Sequence, residues 1–269
     1  MGTFAKRLGQ LAARSLESES SQILRSGAAN KRGLSLALDG TLRKSHDMKV
    51  FGLGTLASLS SRERYSRFTA SMHAVYSAME GRLDASKSAP TQRLWSRFGP
   101  QLRRAEALAA DLDEAIGRLG AESAVAVTPA TASYVAAIGS AADDDDANDG
   151  ARLVGHLYCR YFADLFGGQA LAAPTRLALG LGPHSPRHYT FDFGEFGGRR
   201  ALIEALYEEI NTAGERLRDD GQRAAVVREA ELAFAHNVAV YREEGRLVGD
   251  SVVAAANLLK GAVAGVSGA

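Results

Sequence analysis

Between residues 34 and 246, apolar side chains recur at steps of three and four positions, the spacing that places them on one face of an α-helix. The clearest stripe lies in residues 61–83 and consists of Tyr65, Phe68, Met72, Val75, Tyr76 and Met79. Only 6 of the 269 residues are proline, and no pair of alternating segments brackets a hairpin turn. The pattern therefore predicts one all-α domain over residues 34–246, built from roughly eight helices.

Caps and breaks divide this pattern into elements. Thr128 followed by Pro129 predicts the start of a helix, because threonine caps well and proline suits the first helical position. The polar segment 86–92 predicts a break before a helix over 100–118, and residues 182–199 predict a loop. The acidic run Asp143–Asp146 predicts an exposed linker, since its spacing does not complete a calcium-binding loop.

The two ends differ from the domain between them. Residues 1–33 carry six lysines and arginines with several serines, which is typical either of an organelle-targeting segment (mitochondrion or plastid) or of a solvated arm. Residues 247–269 form an apolar extension. Within it, residues 251–269 are interrupted by Asn257 and Lys260, and they are a candidate for packing on a partner or for contact with a membrane.

Charge and cysteine content narrow the classes of partner. The formal net charge is +1, so the composition predicts no nucleic-acid partner. Cys159 is the single cysteine, which excludes an intramolecular disulfide.

A glycine pair stands out in residues 151–169, ARLVGHLYCRYFADLFGGQ. Gly167 and Gly168 follow a strongly helical pattern, although each glycine costs a helix about 1 kcal/mol relative to alanine. The pair either ends one helix before another begins, or forms a kink that lets a neighbouring helix or a flat ligand approach the backbone.

This segment resembles the distal-helix signature of heme oxygenases, roughly LVAHxYTRYLGDLSGGQ. The matching residues are His156, Tyr158, Arg160, Tyr161, Asp164, Leu165, Gly167, Gly168 and Gln169. Further segments resemble the family in the same order, namely 42–50 (LRKSHDMKV), 75–83, 89–112, 128–138 and 233–244. The resemblance is to cyanobacterial and plastid members, and it implies a heme oxygenase-like multihelical single domain with a kinked distal helix.

The resemblance also implies roles for single residues. His46 matches the proximal histidine that ligates heme iron, and Gly167 and Gly168 match the glycines that let the distal backbone approach the porphyrin. Asp164 matches the carboxylate that orders water beside iron-bound oxygen, with Tyr158 and Arg160 supporting it. An active member cleaves heme to biliverdin, carbon monoxide and iron, and takes electrons from a reductase or ferredoxin.

Two positions of the distal helix depart from the signature. Ala163 replaces the glycine before the aspartate and adds a methyl group where the family has close approach to bound oxygen. Phe166 replaces the serine before the glycine pair, and its ring either fills space near the heme edge or points into the core. Both residues belong to the predicted cofactor-binding set.

The expected basic clamp for the heme propionates is the largest departure. Asp39, or its neighbours Leu38 and Gly40, stands about two turns before His46, where the family has a base. The helix 202–211 (LIEALYEEIN) places Glu204, Glu208 and Glu209 at the other basic positions, or Ile203 and Tyr207 in a register shifted by one. The nearest alternative bases are Arg43, Lys44, Arg199 and Arg200. Each lost charge-assisted contact weakens binding by about 1.5–3 kcal/mol.

Three functional hypotheses follow. The first is a diverged heme oxygenase-fold protein, weakly active or non-catalytic, that serves as an accessory subunit of an organellar assembly and binds protein partners. The second is an active heme oxygenase with a rearranged clamp. The third is binding of heme or another tetrapyrrole without ring opening, as a sensor or carrier.

Overall fold

The computed structural model describes residues 31–44, 48–119, 127–243 and 245–267, and within them every regular element is helical. The α-helices in these ranges are α1 (Gly33–Lys44), α2 (Met48–Ser58), α3 (Arg62–Ala85), α4 (Ala89–Leu102), α5 (Ala105–Leu119), α6 (Pro129–Asn148), α7 (Arg152–Phe166), α8 (Ala172–Leu179), α9 (Arg199–Arg216), α10 (Asp220–Glu243) and α11 (Leu247–Ser267). Short 3₁₀ turns span Gly168–Leu171, Arg187–Tyr189 and Gly194–Phe196. The all-α prediction is confirmed.

Helix α7 occupies the centre of the domain and packs against α3, α4, α6, α9 and α10. Its apolar residues Leu153, Leu157, Phe162 and Leu165 are fully buried. Because the helix is enclosed on nearly every side, its polar residues are buried too, and they must find hydrogen-bond partners on the surrounding helices.

A close helix crossing uses Gly155, a glycine of α7 that precedes the Gly167–Gly168 pair. A β-carbon added to Gly155 would lie 2.7 Å from the carbonyl oxygen of Val226 and 2.8 Å from the amide nitrogen of Ala230. The backbones of α7 and α10 therefore touch here, and any side chain at this position would force the two helices apart.

The glycine pair itself ends α7. The helix stops at Phe166, Gly167 has φ −133°, and the chain continues as the 3₁₀ turn Gly168–Leu171 and then α8. A β-carbon on Gly168 would lie 3.1 Å from the ring of Tyr189. Within the described residues, the close approach at this glycine is therefore made by an aromatic side chain.

The acidic run is part of α6, so the linker prediction was wrong. The Thr128 cap is present, with the hydroxyl accepting from the Thr131 amide at 3.2 Å, and α6 then continues through the aspartates. Asp145 is buried and accepts hydrogen bonds from the amides of Arg152 at 2.7 Å and Leu153 at 2.9 Å. Its carboxylate thus satisfies the exposed amides at the start of α7. No group of three or more potential ligands for a metal ion occurs among the described residues.

The predicted break at 86–92 is present but shorter, since only residues 86–88 are non-helical between α3 and α4. Helix α4 begins at Ala89 with Pro90 in its first turn, where the missing amide hydrogen is not needed. A second break, inside the segment 100–118 predicted as one helix, lies at residues 103–104, where Glu80 accepts from the amides of Arg104 at 2.6 Å and Ala105 at 3.0 Å. Pro90 therefore lies in the first turn of a helix and does not end one.

Helix α11 forms the C-terminal extension and packs on α2 and α8. Its outer face leaves Val248, Val252 and Val253 exposed, by 69%, 67% and 47%. No helix within the described residues is both long and apolar enough to span a bilayer. Membrane contact through residues 251–269 stays a prediction.

Candidate functional site on helix α7

Asp164, near the end of α7, is the centre of a first buried polar group. Its Oδ2 accepts a hydrogen bond from the hydroxyl of Tyr76 on α3. The guanidinium of Arg160, one turn earlier, lies 3.8 Å from Oδ1 and donates to Asn237 of α10 at 2.9 Å. We call these four residues the Asp164 cluster. It links α3, α7 and α10 around one carboxylate.

Burial determines the protonation of Tyr76. It raises the pKa of this phenol well above its usual value, and the nearby carboxylate of Asp164 adds to the effect while Arg160 opposes it. Tyr76 therefore keeps its proton at neutral pH and is a hydrogen-bond donor. The guanidinium carbon of Arg160 also lies 5.2 Å from the centre of the Tyr76 ring.

Asp39, on α1, is the centre of a second buried polar group. Its Oδ1 accepts hydrogen bonds from the hydroxyls of Tyr158 on α7 and Tyr207 on α9, the latter at 3.0 Å. Its Oδ2 lies 2.5 Å from the ammonium nitrogen of Lys31. The side chains of Lys31 and Asp39 are only 4% and 2% exposed. We call these four residues the Asp39 cluster.

The Asp39 cluster is buried and packed with aromatic rings. Tyr158, Tyr207 and Phe162 are fully buried, and the Phe162 ring centre lies 4.6 Å from that of Tyr158 and 5.0 Å from that of Tyr207. Burial raises the pKa of Tyr158 well above its usual value, and Tyr207 and Asp39 raise it further. The phenol of Tyr158 is therefore a donor to the carboxylate.

The predicted site residues within the described ranges are divided between the Asp164 cluster, the Asp39 cluster and the surrounding core. Arg160 joins Asp164 as expected, but Tyr158 belongs to the Asp39 cluster. Phe166 is half-buried with its ring 5.6 Å from that of Phe162, so it packs against the core. Ala163 is half-buried, and its carbonyl accepts from the Gly167 amide at 3.0 Å. Gly168 contacts Tyr189, and His46 lies outside the described residues.

Glu204, Glu208 and Glu209 of α9 are each paired with arginine side chains. Glu204 pairs with Arg200 at 2.9 Å and Glu208 with Arg32 at 2.6 Å, both at the surface, while the buried Glu209 pairs with Arg93 and Arg97 of α4. Tyr207 and Ile203 point inward. Both registers therefore place a buried residue in the core, Glu209 in one and Ile203 and Tyr207 in the other.

Sequence reasoning missed Lys31 and the role of Tyr76. Lys31 stood in a basic segment that read as a targeting or solvated arm, and nothing local distinguished it from Arg32 beside it. Tyr76 read as one member of the apolar stripe of α3. A tyrosine on such a stripe has a hydroxyl that requires a buried partner, and this requirement was the available signal.

The chain matches the family model for heme oxygenase over residues 41–243. It is 28% identical to heme oxygenase 1 of the cyanobacterium Synechocystis sp. over 214 residues, which cover 78% of this chain and 84% of that protein.

Solved structures agree with the sequence comparison. The crystal structure of Synechocystis heme oxygenase-1 in complex with heme superposes with a TM-score of 0.64 at 27% identity, covering 81% of this chain and 95% of that one. Heme oxygenase 2 from Chlamydomonas reinhardtii, crystallised without heme, gives 0.67 at 21% identity, covering 78% and 97%, which shows the shared fold. With the family match spanning most of the helical domain, this chain belongs to the heme oxygenase family.

Proposed function

We propose that this chain is a weakly active or non-catalytic member of its family that works as an accessory subunit of an organellar protein assembly. The observation that carries the proposal is the Asp39 cluster. A buried carboxylate stands at the position where the resemblance predicts a base for a heme propionate, and it is already bound to Lys31, Tyr158 and Tyr207.

The residues at this position do not fit a propionate. A propionate placed beside Asp39 would bring two carboxylates together in a low-dielectric interior, which is strongly unfavourable. The one basic side chain of the cluster, Lys31, is paired with Asp39 at 2.5 Å. The ring of Phe162 fills the space between Tyr158 and Tyr207. We derive no reaction step through heme at this end of the site.

The partner half of the proposal is supported by helix α11. Three valines on its outer face are exposed over two turns, and contiguous exposed apolar surface of this kind is typical of protein–protein contacts. A helix of another protein is the partner that such a stripe of small side chains fits. Similarity to cyanobacterial and algal relatives supports a plastid-type origin; location in a plastid or a mitochondrion is part of the proposal.

A second function, heme cleavage with an external reductase or ferredoxin, is favoured by the Asp164 cluster. Asp164, Arg160 and Tyr76 are buried and mutually oriented as a polar network, although nothing in the apolar core requires one there. Buried charged groups in contact are costly unless they are well paired, so the network is a reason to keep this activity as a candidate.

Hemin titration of the full-length purified protein separates the two functions. Under the first, hemin gives no saturable Soret band, and His46→Ala leaves the spectrum unchanged. A saturable band that is abolished by His46→Ala, followed by biliverdin formation with ferredoxin and a reductase, establishes the second. A band without biliverdin indicates tetrapyrrole binding without ring opening.

The assembly half is tested by isolating the full chain from its native source under gentle conditions. We expect it to migrate well above the mass of a monomer together with a fixed set of proteins. Val252→Glu, on the outer face of α11, should release it from them, while Leu36→Glu, an equally exposed apolar position on α1, should not. A monomeric native protein contradicts the accessory role.

A further inference from the structure

Within the Asp39 cluster, the donors belong to three separate parts of the chain. Tyr158 lies on α7, Tyr207 on α9, and Lys31 precedes α1 by two positions. The carboxylate that they surround belongs to α1. The donors are therefore held mainly by elements other than the one that supplies the acceptor.

The donors match the chemistry of a single carboxylate. Two phenolic hydroxyls donate to one oxygen, and an ammonium contacts the other. A carboxylate has about four lone-pair sites and accepts several hydrogen bonds at once. Charge-assisted bonds of this type are the strong ones, and all four side chains are at most 4% exposed.

We propose that Lys31, Tyr158 and Tyr207 form a carboxylate-binding site that the chain fills with its own Asp39, and that small monocarboxylates enter this site when the Asp39 side chain is removed. The inference deepens the proposed function, because the same tethered carboxylate excludes the carboxylate of any outside ligand.

The size of the missing group selects the probe. The Asp39 side chain is a methylene and a carboxylate, so Asp39→Gly removes a group equivalent to acetate. Asp39→Ala keeps one carbon and removes a group equivalent to formate. In each variant the Lys31 ammonium and the two hydroxyls lose a buried acceptor, which destabilises the folded protein until an anion replaces it.

Thermal unfolding of the full chain with added carboxylate tests the inference. Asp39→Gly should have a lowered Tm that rises with acetate concentration and saturates at half or more of the loss. Chloride at equal ionic strength should not reproduce this rise. Formate should act better than acetate on Asp39→Ala.

Two control variants define specificity. Asp39→Asn removes the charge but keeps the volume, so acetate has no room, and its Tm should not respond. Asp39→Gly combined with Lys31→Met lacks the ammonium, so its response should be lost. The inference is overturned if acetate raises the Tm of Asp39→Gly, Asp39→Ala, Asp39→Asn and the double variant equally. It is also overturned if acetate does not raise the Tm of Asp39→Gly.

If Asp39→Gly is recovered unfolded, its refolding yield is compared with and without acetate, and a yield independent of acetate overturns the inference as well. This experiment uses no heme. Carboxylate rescue in a protein whose wild type binds hemin tightly therefore rejects the proposed function alone. Absence of rescue in a protein that does not bind hemin rejects only the tethered-carboxylate site.

Discussion

The Asp164 and Asp39 clusters are built from the same parts in different proportions. Each contains a buried carboxylate, a tyrosine hydroxyl that donates to it, and a basic side chain. In the Asp164 cluster the cation lies on the same helix, 3.8 Å from the carboxylate and beyond hydrogen-bond distance. In the Asp39 cluster the ammonium makes direct contact at 2.5 Å and a second tyrosine donates. Asp164 accepts one tyrosine hydroxyl, whereas Asp39 accepts two and has an ammonium in direct contact.

This difference separates two uses of a buried charge. A carboxylate held by a single donor is suited to accept further bonds from water or a ligand, whereas one held by donors from several parts of the chain is suited to fix those parts relative to one another. Two of the three residues that the resemblance predicts for chemistry, Asp164 and Arg160, lie in the first cluster, and the third, Tyr158, lies in the second. In the Asp39 cluster, the carboxylate of Asp39 itself occupies the position at which the resemblance predicts binding of a ligand carboxylate.

The largest expected effect comes from removing the ammonium group of Lys31 from the Asp39 cluster. Lys31→Met leaves the Asp39 carboxylate buried without its charge partner, and the free energy of unfolding should fall by about 3–5 kcal/mol. Urea denaturation measures it. Arg32→Met is the matched control, because Arg32 is 53% exposed and its pairs with Glu208 and Glu215 lie at the surface. It should cost at most about 1 kcal/mol.

Equal losses in the two variants would show that Lys31 is not the buried partner of Asp39. The contrast between the two clusters would then disappear.

A third buried carboxylate, Asp145 of α6, accepts from the first amides of α7 and tests what happens without a cation in direct contact. Burial raises its pKa to about 6, although two amides that donate to it act in the opposite direction. Since the folded protein then binds a proton more tightly than the unfolded chain, this group stabilises the fold at low pH. That contribution should be lost as the pH rises through about 6, by up to about 3 kcal/mol.

The measurement is the difference in free energy of unfolding between wild type and Asp145→Asn from pH 4 to pH 8. Asp144→Asn is the control, since Asp144 is more than a third exposed and pairs with Arg152 at 2.9 Å. A difference that is flat with pH for Asp145→Asn contradicts the raised pKa.

The number of hydroxyl donors gives the next comparison. Tyr76→Phe removes the tyrosine hydroxyl that donates to Asp164 and should cost about 1.5–3 kcal/mol. Tyr207→Phe should cost only about 1 kcal/mol, because Tyr158 still donates to the same oxygen of Asp39.

Changing Tyr158 and Tyr207 together to phenylalanine should then cost more than the two single losses added, as expected for groups that share one acceptor. Strict additivity, measured by urea denaturation, would show that each hydroxyl acts alone. The two hydroxyl donors of the Asp39 cluster would then act independently, as the single donor of the Asp164 cluster does.

Features of the fold that leave a pattern in the sequence could be predicted, and features that depend on residues far along the chain could not. Apolar spacing and the Thr128–Pro129 cap gave the helical class and one helix start. The inward register of α9 was also present in the pattern, since Leu202, Ile203, Leu206, Tyr207 and Ile210 repeat at three and four positions. The charged residues Glu208 and Glu209 lie between Tyr207 and Ile210 and make that apolar stripe harder to recognise in the sequence.

Other features leave no local signal. Asp145 caps a helix that begins after it, through backbone amides that any residue carries. Lys31 pairs with Asp39 eight positions later, and nothing in its immediate neighbours marks it as buried. The direction of approach at Gly168 depends on Tyr189, 21 positions later, which the helical pattern cannot place.

The smallest expected effect concerns the glycine pair that ends α7 beside Asp164. A methyl group on Gly168 would lie 3.1 Å from the Tyr189 ring and 3.5 Å from the β-carbon of Asp164, so Gly168→Ala should cost about 1 kcal/mol. At Gly167 the nearest atom to such a methyl is the Ala163 carbonyl oxygen at 3.8 Å, and φ is −133°, so Gly167→Ala should stay within about 0.5 kcal/mol.

Hydrogen exchange sharpens this last contrast, because the Gly168 change should act on one cluster only. In Gly168→Ala, amides in the last turn of α7 near Asp164 should exchange faster, whereas amides around Tyr158, two turns earlier, should keep their protection. If the Tyr158 amides lose protection equally, α7 responds as a single unit. The two clusters would then be coupled through the helix that they share rather than set independently by their own partners.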